Sequence, residues 1–142
     1  MGSLRHEITV RASADEAWEA IADVGALHTR LVPGFVVATK LEGDARIVTF
    51  ANGMIAREPI VASDAVARRL VWTSEGGRAT HYNAAVQALP EPAGGARIIW
   101  TVDFLPDALE PQLSAAMNAG MKAMQGALDK AAKKPNDQAL KA

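Results

Sequence analysis

Residues 107–134, DALEPQLSAAMNAGMKAMQGALDKAAKK, carry a repeating apolar pattern. Apolar side chains recur there at spacings of three and four residues, at Leu109, Leu113, Met117, Met121, Met124 and Leu128. This spacing places them on one face of a single amphipathic helix. Most helices of this kind are stable only when another part of the chain covers the apolar face. The architecture therefore depends on what the preceding residues form.

Residues 35–104 consist of short alternating segments separated by turn signals, which is typical of an antiparallel sheet. With a first strand at 6–11, the predicted strands are 35–42, 45–51, 54–62, 67–74, 79–89 and 96–105. Asn52-Gly53 is the clearest hairpin signal, because both residues tolerate the positive φ of a tight turn. Each hairpin joins sequential neighbours, so we expect a strongly curved antiparallel sheet of seven strands.

Two short helices are predicted between the first strand and the second. Residues 13–16, Ser-Ala-Asp-Glu, have the form of a capping box that opens a helix. A second short helix is expected over Ala26 to Leu31, before the Pro33-Gly34 turn signal. The element order is therefore β-α-α-β6-α, an α+β fold in which the sheet wraps around the long last helix.

Composition and charge narrow the class of protein. The 142 residues fit one domain, predicted at 1–134 with a short tail at 135–142, and the formal charge of -1 makes nucleic acid an unexpected partner. Lys130, Lys133 and Lys134 suit the C-terminus of a helix, where cations offset the helix dipole. The chain has no cysteine, which excludes disulfides and thiolate chemistry. No leader pattern or membrane span is found, so we expect a cytoplasmic protein, as a monomer or homodimer.

Several motifs in this order resemble those of a known superfamily. They are Ser13 to Trp18, Pro33-Gly34, residues 58–64, residues 69–72, Thr80-His81-Tyr82, and Trp100 through Pro106. The chain resembles the helix-grip superfamily of START-like, polyketide-cyclase-like and birch-pollen-allergen-like ligand-binding proteins (SRPBCC). The resemblance implies that the last helix lies across the concave face of the sheet, with an apolar cavity between them.

Residues 58–64 also resemble a strand that reads Glu-Arg-Leu in the plant hormone-receptor branch and related bacterial branches of that superfamily. Pro59 replaces the arginine here. Because proline cannot donate to a sheet ladder, we expect a bulge or local break at this residue. The gate loop of those receptors is not recognisable over 52–56, so hormone reception is not implied.

The phase of each strand predicts which side chains face the helix. The more apolar parity is expected inward, which selects Leu70 and Trp72, then Tyr82, Ala84, Val86 and Ala88, then Ile98, Trp100, Val102 and Phe104. Small Ala84 and Ala88 beneath Trp100 and Tyr82 would leave room for a ligand. The predicted ligand-binding residues are Glu58, Trp72, Tyr82, Ala84, Trp100, Phe104, Met117, Met121 and Met124. The alternative is that these aromatics and methionines fill an ordinary core.

The methionines and Glu58 carry two further predictions. If the methionine stripe is a pocket wall, Met121→Trp should block ligand uptake at little cost in stability. Glu58 shares its parity with Ala56 and Ile60, so burial should raise its pKa, since the phase places Arg57 outside. The alternative is that Pro59 shifts the register and leaves Glu58 solvated.

The histidines do not form a metal-ligand pattern. His6, His28 and His81 are far apart in sequence, without His-x-His or His-Glu-x-x-His spacing, and no glycine-rich phosphate loop follows a strand. We therefore predict no metal and no nucleotide cofactor. His81 is expected on the solvent face of its strand, and His28 beside the second short helix.

These features favour a non-catalytic binder or carrier of a hydrophobic small molecule, such as a lipid, polyketide or isoprenoid. The alternative is a polyketide cyclase or dehydratase that uses a single acid or base, with Glu58 and Tyr82 as the catalytic candidates. A third possibility is an accessory protein that uses the outer face of the sheet, for which the sequence offers no apolar patch.

Overall fold

The computed structural model describes residues 1–132. Lys133, Lys134, the predicted domain end at 134 and the predicted tail 135–142 lie outside the described residues. The strands are β1 Gly2–Val10, β2 Val36–Glu42, β3 Ala45–Phe50, β4 Ile55–Asp64, β5 Arg69–Thr73, β6 His81–Pro90 and β7 Ala96–Leu105. The helices are α1 Ala14–Ala22 and α2 Glu110–Ala131, with short helical turns at Val24–Ala26, Leu27–Leu31 and Asp107–Leu109.

The seven strands form one antiparallel sheet in the order β1-β7-β6-β5-β4-β3-β2, which confirms the predicted fold class. β1 begins at Gly2, four residues before the predicted start at His6, because it pairs along its whole length with β7. Gly2 lies opposite Phe104, and a Cβ at this position would overlap the Phe104 ring. The absence of a side chain at Gly2 therefore lets the two strands stay paired to the sheet's end.

β4 changes its pairing partner at Pro59. Residues 55–59 pair with β3, whereas residues from Ile60 onward pair with β5. The bulge predicted at Pro59 falls instead between Ile60 and Ala62, on the side that faces β5. The pairing of β4 with β3 is regular up to Pro59. Pro59 therefore stands where the strand passes between the two halves of the sheet, and it leaves the register of Glu58 intact.

The capping box predicted at the start of α1 is present. The Glu16 backbone N–H donates to the Ser13 hydroxyl at 3.0 Å, and the Ser13 N–H donates to the Glu16 carboxylate at 2.9 Å. Ala14, Ala17 and Ile21 are buried on the inner face of this helix. The second predicted short helix is the single π-helical turn Leu27–Leu31, which begins one residue after the predicted Ala26.

α2 lies across the concave side of the sheet with its predicted apolar face inward. Met117, Met121, Met124 and Leu128 are buried, and Leu109 and Leu113 are partly buried against the same core. Gly120 is also buried and lies against the Trp100 ring. Among residues 1–132, no helix is long and apolar enough to cross a membrane.

The side chains of β5, β6 and β7 that were predicted to face inward do so, and one side chain on the outer face of the sheet is buried as well. Leu70, Trp72, Ala84, Trp100 and their parity mates lie in the main core. Val71, predicted to face out, is buried as well, opposite Ala85 and outside that core. β5 and β6 each have a strand on both sides, so side chains of the neighbouring strands cover an apolar side chain even on the outer face of the sheet.

Candidate functional site

A cavity of about 620 Å³ lies between the concave face of the sheet and α2. Apolar and aromatic side chains from the sheet, from α2 and from the 27–36 segment make up most of its wall. Its exposed lining residues cluster at one end, in the β3–β4 loop, the β5–β6 loop and the first half of α2. That end of the molecule is the entrance.

Six of the nine predicted binding residues line this cavity. They are Glu58, Trp72, Tyr82, Trp100, Met117 and Met124. The structure brings them together from four strands and one helix, as the strand phases and the helical spacing require. Whether they bind a ligand stays a prediction.

The other three predicted residues, Ala84, Phe104 and Met121, are buried but do not line the cavity. Ala84 lies on β6 directly opposite Trp72 of β5, where the indole rings of Trp72 and Trp100 approach each other at 6.3 Å between centroids. Val102 of β7 is the neighbour of Ala84 on the other side, so larger side chains flank its methyl group and cover it. The Phe104 ring is directed at Gly2 of β1, at the far side of the sheet.

The position of Met121 follows from helix geometry. At 100° per residue, Met121 lies about 40° further round α2 than Met117, whereas Met124 lies about 20° to the other side. The residues of α2 that line the cavity continue in the direction of Met124, through Leu113 and Ala116. Met121 is therefore in the filled part of the core, and Met121→Trp is not a test of the cavity.

A buried ion pair that was not predicted stands inside the cavity wall. The Arg46 Nε donates to the Glu58 carboxylate at 2.8 Å, and these two residues are only 2% and 6% exposed. The Arg46 guanidinium also lies over the Trp72 ring, 5.3 Å from its centroid. Arg57 points outward, as predicted, and pairs with Glu42 and Glu75 at the surface.

The β3–β4 hairpin sets this pairing through a three-residue loop. Only Gly53 has a positive φ, of +89°, and the Phe50 N–H donates to the Met54 carbonyl across the loop at 2.8 Å. The Asn52 side chain accepts from the Met54 N–H instead of adopting the positive φ expected of it. Glu58 then lies opposite Arg46. A two-residue turn would have placed Glu58 opposite Ile47.

Burial raises the pKa of Glu58, in the predicted direction. The positive charge and hydrogen bond of Arg46 oppose this effect without reversing it. The Trp72 indole N–H also favours the ionised carboxylate, although it makes no hydrogen bond of normal geometry. Glu58 is thus a carboxylate held in an apolar wall by one buried cation.

Tyr82 lies partly buried on the same wall. Burial raises the pKa of its hydroxyl, and the neighbouring Glu58 carboxylate raises it further, while Arg46 acts in the opposite direction. The phenol therefore keeps its proton through the whole physiological pH range. A protonated phenol can both donate and accept a hydrogen bond.

The histidines lie apart, as the sequence indicated. His6 contacts the Ser114 hydroxyl at 3.2 Å, His28 contacts Thr39 at 3.0 Å, and His81 is exposed. Within residues 1–132, no cluster of three or more His, Cys, Asp or Glu side chains could hold a metal ion. The polar side chains of the described cavity interior belong to Arg46, Glu58, Tyr82 and the two tryptophans, and other polar side chains line the entrance.

The sequence and the fold match known proteins. A family described as "Polyketide cyclase / dehydrase and lipid transport" matches residues 1–134. An uncharacterized protein from Bacillus thuringiensis has a similar structure, with a TM-score of 0.80, 18% identity, and coverage of 89% of this chain and 98% of that one. No match is found among curated proteins.

Two further solved structures share the fold. Norcoclaurine synthase from Thalictrum flavum, in complex with dopamine and hydroxybenzaldehyde, has a TM-score of 0.70 and 23% identity, over 91% of this chain and 84% of that one. The di-domain ARO/CYC BexL of the BE-7585A biosynthetic pathway has a TM-score of 0.79 and 18% identity, over 91% of this chain and 47% of that one. Identities this low show the fold alone.

Proposed function

Because this chain belongs to the polyketide cyclase/dehydrase and lipid-transport family, we propose that it binds and carries a hydrophobic small molecule in its cavity. The observation that supports this is the cavity itself, whose volume of about 620 Å³ falls in the usual range for small-molecule sites. Its wall is mostly apolar, with a few polar groups at fixed positions, which is the usual composition of such sites.

The methionines support a binding site that adapts to its occupant. Met117 and Met124 line the cavity from α2, and Met54 lies at its entrance. Unbranched thioether side chains can change rotamer and refill space at small cost. A wall of this kind suits an apolar ligand that is held by shape and burial more than by many hydrogen bonds.

The proposal is tested with N-phenyl-1-naphthylamine, a neutral apolar probe whose fluorescence rises when it leaves water. Ala116 lines the cavity near its entrance, whereas the adjacent Ala115 is exposed on α2 and does not line it. We expect saturable binding to the wild type, at least tenfold weaker binding to Ala116→Phe, and unchanged binding to Ala115→Phe. Equal binding by all three proteins, or none by the wild type, would contradict the proposal.

An enzymatic role is the second candidate, because Glu58 and Tyr82 both line the cavity. Glu58 is the single carboxylate in the described lining and hence the candidate base, while Tyr82 is a candidate proton donor. Heptane-2,4,6-trione serves as a test substrate. Closing a bond from its terminal methyl carbon to the distant ketone carbon, with loss of one water, gives a dihydroxytoluene. Turnover that disappears in Glu58→Gln would favour the enzyme, and unchanged triketone would favour the carrier.

A further inference from the structure

The wall of the cavity has an excess of hydrogen-bond donors. The indole N–H groups of Trp72 and Trp100 are buried and have no hydrogen-bond partner among the described residues. The two residues are 5% and 8% exposed, and both line the cavity. Tyr82 adds a hydroxyl that keeps its proton. An indole N–H can only donate, so neither tryptophan can satisfy the other.

The one carboxylate in the described lining is already paired through one of its oxygens. The Glu58 carboxylate accepts from the Arg46 Nε at 2.8 Å, and it lies near the Trp72 indole without an ordinary hydrogen bond. An unsatisfied buried donor costs about 1–3 kcal/mol, so two of them are an unusual feature in a folded core. A bound molecule that brings its own acceptor oxygen would remove this cost.

The charges on the wall restrict what kind of acceptor that is. Arg46 and Glu58 neutralise each other in the interior, and the remaining charged lining residue, Arg78, is exposed at the entrance. A carboxylate or phosphate placed beside the two indoles would be a buried charge without a free cation, close to Glu58. Such a charge is strongly disfavoured in an apolar environment.

We infer that the ligand is an uncharged apolar molecule with a carbonyl-type oxygen, and that this oxygen accepts hydrogen bonds from the Trp72 and Trp100 indole N–H groups. The inference rests on the proposed binding function and adds to it the chemical class of the ligand. The apolar part fills the methionine-lined space, and the oxygen points at the sheet. A hydrocarbon of the same shape leaves the two indole N–H groups without an acceptor. An anionic ligand is disfavoured at the same position, because its charge would be buried without a free cation.

Three probes of equal size separate these cases: 2-acetylnaphthalene, 2-isopropylnaphthalene and 2-naphthoate. They share one ring system and differ in the acceptor and the charge. We expect the ketone to bind about tenfold or more tightly than the hydrocarbon, since one buried hydrogen bond changes affinity by about that factor. The carboxylate should bind more weakly than the ketone. Affinities are measured by calorimetry on the whole protein.

Indole proton NMR supplies a readout that needs no variant. The protein has three tryptophans, and Trp18, on α1, does not line the cavity. Adding the ketone should move the indole proton signals of Trp72 and Trp100 downfield and leave Trp18 in place. Trp100→Phe, which removes one of the two donors, should lower the ratio of ketone affinity to hydrocarbon affinity, whereas Trp18→Phe should leave that ratio unchanged.

The failure of this inference is distinct from failure of the proposed function. Equal affinity for the ketone and the hydrocarbon, or unmoved indole signals in the ketone complex, would overturn the inference while leaving apolar binding in place. Naphthoate binding as tightly as the ketone would also overturn it. If none of these probes and no N-phenyl-1-naphthylamine binds, the proposed function fails, and the inference fails with it.

Discussion

Replacing Arg46 by methionine should destabilise the protein strongly, because it removes the buried cation that pairs with the Glu58 carboxylate. The two side chains are joined at 2.8 Å and are almost completely buried. Breaking such a pair from one side typically costs about 3–5 kcal/mol, chiefly by leaving an uncompensated charge in the interior. That is a large part of the roughly 5–15 kcal/mol that stabilises a domain.

Arg57 is the matched control, since it is the neighbouring arginine on the other face of the same hairpin. Its side chain is 40% exposed and pairs with Glu42 and Glu75 at the surface. Surface ion pairs contribute little to stability, so Arg57→Met should cost far less than Arg46→Met. In the double variant Arg46→Met, Glu58→Met both charges are gone, and most of the lost stability should return.

The pH dependence of the free energy of unfolding is a second test for the uncompensated Glu58 charge in Arg46→Met. Burial raises the pKa of Glu58 above its unfolded value, and without Arg46 only the smaller effect of the Trp72 indole opposes it. A carboxyl whose folded pKa is raised binds more protons in the folded state, so the free energy of unfolding falls as pH rises through the raised value. Arg46→Met should therefore lose more stability at pH 7 than at pH 4.5.

Urea unfolding of the four proteins at both pH values measures these differences directly, with equal m values as the check on two-state behaviour. A loss below about 1 kcal/mol for Arg46→Met, independent of pH and matched by Arg57→Met, would refute the reasoning. It would mean that Glu58 is solvated, as the alternative interpretation of Pro59 proposed.

Three other predictions concern single side chains. Tyr82 is the one tyrosine of the chain, so absorbance at 295 nm reports its ionisation alone. Tyrosinate should not appear until the pH is well above about 10, the pKa of tyrosine in an unfolded chain. Above that pH the free energy of unfolding should fall, because the unfolded chain loses the proton first. Gly126→Ala, with open space around the new Cβ, should raise stability by about 1 kcal/mol in urea unfolding, whereas Gly120→Ala should not, because its Cβ would lie 2.9 Å from the Trp100 ring. Met121→Trp should cost about 1–3 kcal/mol in the same assay and leave probe affinity unchanged, since Met121 is in the filled core.

The sequence was sufficient for the architecture because its periodicities are strong. The apolar stripe of α2 and the alternation of β7 each follow one period without interruption, and both give the buried face correctly. The resemblance in motif order added the position of the cavity. The same patterns placed Glu58, Trp72, Tyr82 and Trp100 on the concave face.

The residues that were missed depend on details finer than periodicity. Parity alone places Arg46 inward with Val48 and Phe50, but a charged residue is rarely assigned to a buried face unless its partner is known. That partner is fixed by the length of the loop around Asn52, and a loop longer by one residue changes which side chains meet. Met121 was assigned to the cavity because a helical face is broad, and only the packing divides it into a filled part and a hollow part.

The central claim is that an apolar molecule enters the cavity beside Met117 and Met124, and methyl NMR tests it most directly. The protein has five methionines, of which Met54, Met117 and Met124 line the cavity while Met1 and Met121 do not. With methyl-labelled methionine and saturating N-phenyl-1-naphthylamine, we predict intermolecular NOEs from the probe to the Met117 and Met124 methyl groups, and none to Met121 or Met1. NOEs confined to Met1 or other surface groups, or bound probe without any NOE to Met117 and Met124, would contradict the account.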